Sequence, residues 1–312
     1  MGRSGRRRGR SEAPGPAGFA VVDKPSGITS HDVVDAVRRW LGTRQVGHLG
    51  TLDPAATGVL PLAIREATKL VPFVEGGAKS YVGAIRLGVE TDTLDADGQV
   101  LRRFEGRFPE EAAVRRAMGA LQGEIEQIPP MFSAVKRDGV PLHRLAREGR
   151  SVERAPKRVR IDRFELVKYL PPQIEIEVDC SAGTYVRALA ADLGTALGCG
   201  AHLASLRRTR SGPFRIEQAR ALAELCESPP DAAGALIPPA RVLGLPTVEI
   251  APLDVKRLLH GGEVEADRRS ERVGERLAAV DAQGALIAVV EMAPGRRLRP
   301  LRVLRPAGSD PQ

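Results

Sequence analysis

Aromatic side chains are scarce: seven Phe, three Tyr and one Trp, 4% of 312 residues. That is too few for a broad base-stacking platform, so any stacked base must rest on one or two placed rings, for which Tyr81 and Tyr185 stand in polar surroundings. The three cysteines, Cys180, Cys199 and Cys226, are odd in number and far apart. They fit neither a disulfide framework nor a paired metal motif, and they read as reduced thiols. No apolar run reaches the roughly 18 residues of a membrane helix, because Asp281 and Glu291 interrupt even the stretch from Leu277 to Pro294. The basic start of the chain lacks the apolar segment of a secretory signal, so the reading is cytoplasmic. Catalytic motifs are missing as well. There is no phosphate-binding loop of the GxxxxGK type, and Gly198-Cys-Gly200 lacks the third glycine of a dinucleotide turn. The five histidines, His31, His48, His143, His202 and His260, have no metal spacing. Asp92 to Gly98 has the oxygens of a calcium loop without its closing Glu and reads as an Asx-rich turn. No GxSxG elbow supports a serine hydrolase.

What is present is positive charge on an ordinary globular composition, 42% hydrophobic and 28% charged. The net charge of +8 includes five arginines within residues 1–10; without them it falls to +3. Residues 1–17 read as a disordered basic tail able to touch nucleic acid loosely. Between Lys136 and Arg160 nine Lys/Arg face only Asp138, Glu148 and Glu153. Further basic groups follow at Arg207, Arg208, Arg210 and Arg215, and again from Arg296 to Arg305. Any one cluster is ordinarily a solvated face, but three in one chain bring nucleic acid forward as a partner.

Along the chain, Phe19–Val22 reads as a strand closed by the turn Asp23-Lys-Pro-Ser-Gly27. Thr29 or Ser30 caps a helix whose Val33, Val37, Trp40 and Leu41 share a face. Residues 47–61, with their glycines and prolines, predict a long shaped loop. Residues 66–75 are helical in period, Tyr81–Leu87 reads as a strand, and Pro109 opens an amphipathic helix to about Leu121. The basic segment reads as an inserted arm or hairpin. Strict alternation over Gln173–Cys180 predicts a half-buried strand, and Ser181-Ala-Gly-Thr184 turns the chain into a helix carrying Val186, Leu189, Ala190, Leu193 and Leu197. Strands and helices that do not alternate regularly predict an α+β fold with a mostly antiparallel sheet. Proline and glycine thicken over residues 228–246, after which short strands suggest a small barrel with a helix near Leu253–His260.

One acid stands out. Asp53 lies between Leu52 and Pro54 in a glycine-rich segment that lets backbone approach a ligand. Asp-Pro is also plain turn chemistry. The turn Gly183-Thr-Tyr-Val-Arg187 delivers Tyr185 and Arg187 at a strand-to-helix junction. An arginine beside Asp53 is expected to hold its carboxyl below the usual pKa of about 3.9, by roughly 1–3 units. Such a pair with a tyrosine, and without metal or cofactor, suits a carboxylate acting as nucleophile or base at a sugar carbon.

The segment from Gly47 to Gly58, GHLGTLDPAATG, strongly resembles the catalytic loop of the TruB family of tRNA pseudouridine synthases. In register with it are Asp23-Lys-Pro-Ser-Gly27, Ala67-Thr-Lys69, Lys79-Ser-Tyr81, Thr91 to Gly98, Gln127 to Lys136, Gly183 to Arg187 and Leu206-Arg-Arg208. The resemblance runs from about residue 19 to 215 and weakly beyond. It implies a pseudouridine synthase fold with a mixed, mostly antiparallel sheet flanked by helices and loops over residues 18–246, an RNA-binding arm at about 128–158, and a PUA-like β-barrel over 247–312. It implies isomerisation of uridine 55 in the T-arm of tRNA, with no metal, cofactor or guide RNA, by a monomer. By resemblance Asp53 is the catalytic carboxylate, Tyr81 stacks on the extruded uracil, and Arg187 pairs with Asp53. Asp95 organises that pair, His48 contacts the opened RNA loop, and Lys69, Tyr185 and Leu206 line the pocket. The residues leave attack on the sugar, attack on the base and removal of the 2′ proton equally open as the first step. Two rivals are a non-catalytic RNA-folding factor, in which Asp53 is a turn residue, and a guide-dependent synthase.

Overall fold

The computed structural model describes residues 15–133, 135–137, 139–150, 152–227, 229, 236–266 and 272–305. Most of the basic tail read over residues 1–17 therefore lies outside the described residues.

A ten-stranded mixed sheet organises the larger part of the chain. Its main path runs Arg220–Ala221, Gly18–Lys24, Thr57–Ile64, Ala201–Ser211, Lys79–Leu87, Gln173–Cys180, Lys157–Leu170 and Gly123–Gln127. Pairing is antiparallel except at Gly18–Lys24 with Arg220–Ala221 and at Thr57–Ile64 with Ala201–Ser211. The expected mostly antiparallel sheet is thus observed. Strand Gln173–Cys180 buries Ile174, Ile176, Val178 and Cys180 and turns its acids outward, as the period of two requires.

Helix Ser30–Leu41 begins at a Thr29–Asp32 capping box and stops at Gly42, whose φ of 60° suits a residue without Cβ. Its buried residues include Val33, Val34, Val37 and Leu41. Glu111–Ala120 and Val186–Ala196 supply further helical cover, their Val114, Met118, Leu189 and Leu193 joining the same core.

Two expectations are corrected. The loop predicted over 47–61 is shorter, because Val46–His48 and Thr57–Ile64 are paired strands. Pro61 lies within the second of these, opposite Val21, and its carbonyl accepts from the Leu49 amide, 2.9 Å away. The predicted helix over 66–75 is a 3₁₀ turn, Arg65–Leu70, followed by a single turn at Val71–Val74. In the basic segment, Lys136–Arg137 pairs with Val140–Pro141 as a small hairpin ahead of helix Leu142–Arg147. Its last residues, from Lys157, belong instead to a long sheet strand.

The C-terminal strands form a five-stranded sheet in the order Thr247–Glu249, Arg276–Val280, Leu286–Ala293, Arg297–Val303 and Val264–Glu265. Its two end strands do not pair with each other, so among the described residues the expected barrel is not closed. Helix Pro252–Leu259 packs on it through Leu258. Val289 of this sheet and Leu304, just past its strand Arg297–Val303, join an apolar cluster with Phe19, Leu49, Val59 and Phe214. That cluster lies on the back of the large sheet and ends at the loop that carries Asp53.

Candidate active site

The loop between Leu49 and Ala56 contains no regular structure, so its backbone groups need other partners. Three buried polar side chains supply them. Lys24, fully buried, donates from Nζ to the carbonyls of Pro25, Pro54 and Ala56 at 2.9, 3.0 and 2.8 Å. Ser30 Oγ accepts from the Leu52 amide at 2.9 Å and donates to the Leu52 carbonyl at 3.0 Å. Arg208, also fully buried, donates from Nε to Val59 and from its terminal nitrogens to Thr51 and Gly50, at 2.7, 3.3 and 3.0 Å. Gly58 must be glycine: its φ is 97°, and a Cβ there would lie 2.2 Å from the Arg208 carbonyl. Asp53 is therefore presented on a rigid support.

Its partner comes from the opposite side of the cleft. Arg187 is the second residue of helix Val186–Ala196, where the positive end of the helix dipole disfavours a cation. At 5% exposure it also needs full compensation. Nε meets Asp53 Oδ2 at 2.9 Å and one terminal nitrogen meets Oδ1 at 3.2 Å. The other terminal nitrogen meets Asp95 Oδ2 at 3.2 Å and the Thr93 carbonyl at 3.0 Å. The first also donates to the Phe132 carbonyl at 2.8 Å. All five N–H groups of the guanidinium thus have acceptors.

Asp95 is itself fixed by the Asx-rich turn. Thr93 Oγ1 donates to its carboxylate at 2.5 Å, Thr91 Oγ1 donates to its carbonyl at 2.7 Å, and Leu94 takes the left-handed φ of 63°. The Tyr185 backbone, at the helix N-terminus, is held by buried Gln127 through bonds of 3.0 and 3.3 Å.

These elements enclose a cavity of about 200 Å³ lined by, among others, Asp53, Lys79, Tyr81, Tyr185, Arg187 and Leu206. The Asp53 side chain is 43% exposed and opens into it, whereas that of Arg187 is 6% exposed behind it. Burial of the Asp53 carboxyl raises its pKa; Arg187 pulls it back and Asp95 pushes it up again, with a net rise. The expectation that the arginine would leave Asp53 below the ordinary range is corrected, because desolvation exceeds the pairing. Tyr81, 7% exposed, lies beside Arg208, and burial pushes its phenol up to about 12, so it is a neutral ring at physiological pH.

Five of the eight residues singled out from sequence meet at this cavity: Asp53, Tyr81, Tyr185, Arg187 and Leu206. Asp95 stands behind Arg187. His48 lies outside the lining, on strand Val46–His48, with burial and nearby Arg208 lowering its pKa. Lys69 also lies outside it, in the turn Arg65–Leu70 with Nζ 2.6 Å from Glu66. Sequence reasoning assigned no place in the site to Lys24, Ser30, Gln127 or Arg208, Ser30 having been read as a candidate helix cap; a lysine and an arginine inside otherwise strand-forming runs were the available signal. Among the described residues no group of three or more His, Cys, Asp or Glu is placed to hold a metal ion, and no helix is long and apolar enough to cross a membrane.

The model for the N-terminal domain of TruB family pseudouridylate synthases matches residues 38–186, and that for the tRNA pseudouridylate synthase B C-terminal domain matches 187–229. A protein of Mycobacterium tuberculosis named tRNA pseudouridine synthase B is 44% identical over 303 residues, 96% of this chain and 99% of its own length. The chain belongs to the TruB family. Its similarity to the Geobacter sulfurreducens protein of that name is 47% over 229 residues, 73% of this chain and 75% of the relative. Among solved structures, a chain of an H/ACA ribonucleoprotein bound to a substrate RNA containing 2′-deoxyuridine superposes with a TM-score of 0.69 at 26% identity, covering 94% of this chain and 87% of that one. A chain of a Cbf5–Nop10–Gar1 complex gives 0.68 at 28% identity, covering 93% and 85%. The pseudouridine synthase fold expected from the sequence is thereby shown.

Proposed function

We propose that the protein is a tRNA pseudouridine synthase that isomerises uridine 55 of the T-loop. The observation that carries this is the Asp53–Arg187 pair, its carboxylate facing an open cavity walled by Tyr81, in a chain of the TruB family. In the isomerisation the bond from C1′ to N1 breaks and a bond from C1′ to C5 forms, while C5 loses a proton and N1 gains one. Nothing else enters or leaves, so the overall reaction is redox-neutral.

A uridine stacked in a folded loop must be swung out, at a cost of a few kcal/mol. Stacking on Tyr81 returns about 1–3 kcal/mol. Asp53 then acts at the ribose of the extruded nucleotide, Arg187 keeps its carboxylate oriented, and Asp95 positions Arg187. His48 contacts the opened RNA loop, while Lys69, Tyr185 and Leu206 complete the family's pocket positions.

Residues 18–246 form the catalytic domain in this reading, and the arm at about 128–158 closes over the RNA. The arm's root already belongs to the site: Phe132 accepts from Arg187 and Ser133 lines the cavity. Its exposed Arg144 and Arg150 make long contacts to Glu148, 3.6 and 3.8 Å, which phosphates can replace. Residues 247–312, a PUA-like domain, add an RNA-binding surface through Arg297, Arg299 and Arg302. In this reading the enzyme is a cytoplasmic monomer; its working without guide RNA is supported by relatives 44% identical over 96% of this chain that are named as synthases in their own right. Incubating the purified chain with an unmodified tRNA transcript and mapping the product tests this: a single pseudouridine at position 55 is expected, and a requirement for a guide RNA would refute it.

A further inference from the structure

Lys24, Lys79, Arg187 and Arg208 converge on the cavity and its supporting loop. Three of these cations are spent. Lys24 gives its amine to three carbonyls, Arg187 gives all five donors to two carboxylates and two carbonyls, and Arg208 serves three carbonyls. Lys79 differs. It lines the cavity, yet its ammonium has no hydrogen bond or ion pair among the described residues. The charge of Glu75 is felt only at longer range. Burial and the nearby Arg208 both press its pKa downward, as for a cation that lacks its anion.

Its place on the strand indicates what that anion is. Lys79 and Tyr81 stand two residues apart on strand Lys79–Leu87, so they share a face at a spacing of about 7 Å. With a base on the Tyr81 ring, an ammonium one side-chain spacing away falls beside the sugar–phosphate backbone instead of the base edge. Across from it Gly50, at φ 90°, carries no Cβ; one placed there would sit 3.2 Å from the Lys79 amine. The room left by that glycine gives an approaching phosphate access to the amine.

We infer that Lys79 binds a backbone phosphate flanking the flipped uridine and so fixes the ribose over Asp53. This rests on the reading of the cavity as a uridine site. It makes Lys79 a substrate-binding residue of the site, with a charge that the protein leaves for the RNA to neutralise.

The test uses five T-arm hairpin RNAs: one unmodified, two with a neutral methylphosphonate on the 5′ or the 3′ side of the target uridine, and an all-phosphate control for each of those two. The sugar whose hydroxyl would attack the neutral linkage carries 2′-fluoro, as does its all-phosphate control. The intact protein is expected to bind one of the two neutral RNAs about tenfold more weakly than its control. Lys79→Met binds the pair equally, and its slope of log K against log salt is shallower by about one. Equal binding of every RNA by the intact protein, or an undiminished discrimination by Lys79→Met, overturns the inference. If Lys79→Met does not fold, Lys79→Gln replaces it, and the comparison within the intact protein stands without either variant. Pseudouridine formation on the unmodified RNA is scored in parallel. Its absence would remove the uridine reading itself, whereas its presence with equal binding would remove only the role of Lys79.

Discussion

At Asp53 two opposed effects act on one proton. Desolvation lifts the pKa, Arg187 lowers it, and Asp95, on the far side of the guanidinium, lifts it again. The acid limb of kcat/KM reports this group in the free enzyme, and it is expected above the ordinary aspartate range near about 3.9. Asp95→Asn removes a neighbouring negative charge, which favours the Asp53 anion, so the limb should move to lower pH. A titration of rate against pH checks this; movement to higher pH would show that Asp95 matters through the anchorage of Arg187 instead of through its charge. Among single residues, Asp53 was legible from its loop, and Arg187 from its turn. Asp95 was legible through resemblance alone, because nothing local in an Asx-rich turn says that one of its carboxylates faces a guanidinium. Lys24 and Arg208 were missed because their role is in tertiary contacts: each points back under a loop distant in sequence.

At the scale of the element, the loop from Leu49 to Ala56 owes its shape to donors that lie outside it. Lys24→Met leaves three carbonyls without a charged donor and is expected to cost about 3 kcal/mol of unfolding free energy, read from urea denaturation. The lysine also leaves a pH signature. Its folded-state pKa is lowered to about 8 from 10.5, so between those values the unfolded chain holds a proton that the folded one has released. Stability relative to Lys24→Met should therefore rise with pH across that window; a fall would contradict a desolvated ammonium. The strand Ala201–Ser211 shows why elements were missed. Two register shifts, at Leu203/Ser205 and Arg208/Arg210, break its alternation, and a buried arginine occupies an inward position. Thr57–Ile64 was hidden for another reason, since Gly58 and Pro61 signal a turn wherever tertiary pairing does not override them. Where the period stays intact, as over Gln173–Cys180, sequence and structure agree.

Across the whole molecule, two features connect the site to distant parts. The apolar cluster of Phe19, Leu49, Phe214, Val289 and Leu304 joins the C-terminal sheet to the back of the large one. Leu304→Ala should lower unfolding free energy by about 2–3 kcal/mol in denaturant titration, since Leu304 is 4% exposed. The arm provides the second. Neutralising Arg144, Arg147 and Arg150 should weaken tRNA binding and flatten its dependence on salt by up to about 0.9 per lost phosphate contact. An unchanged slope would show that the arm does not meet phosphate. Composition indicated a nucleic-acid partner at this scale, but the open, five-stranded form of the C-terminal sheet was not readable from short strands whose pairing is non-local.

The central claim concerns one carboxylate acting on one nucleotide, and the matched pair of intact protein and Asp53→Asn on an unmodified tRNA transcript tests it most directly. Asn keeps the shape of the side chain and removes its charge. The account predicts pseudouridine at position 55 with the intact protein and none with Asp53→Asn, while the two bind tRNA within severalfold of each other. Appreciable turnover by Asp53→Asn would contradict it.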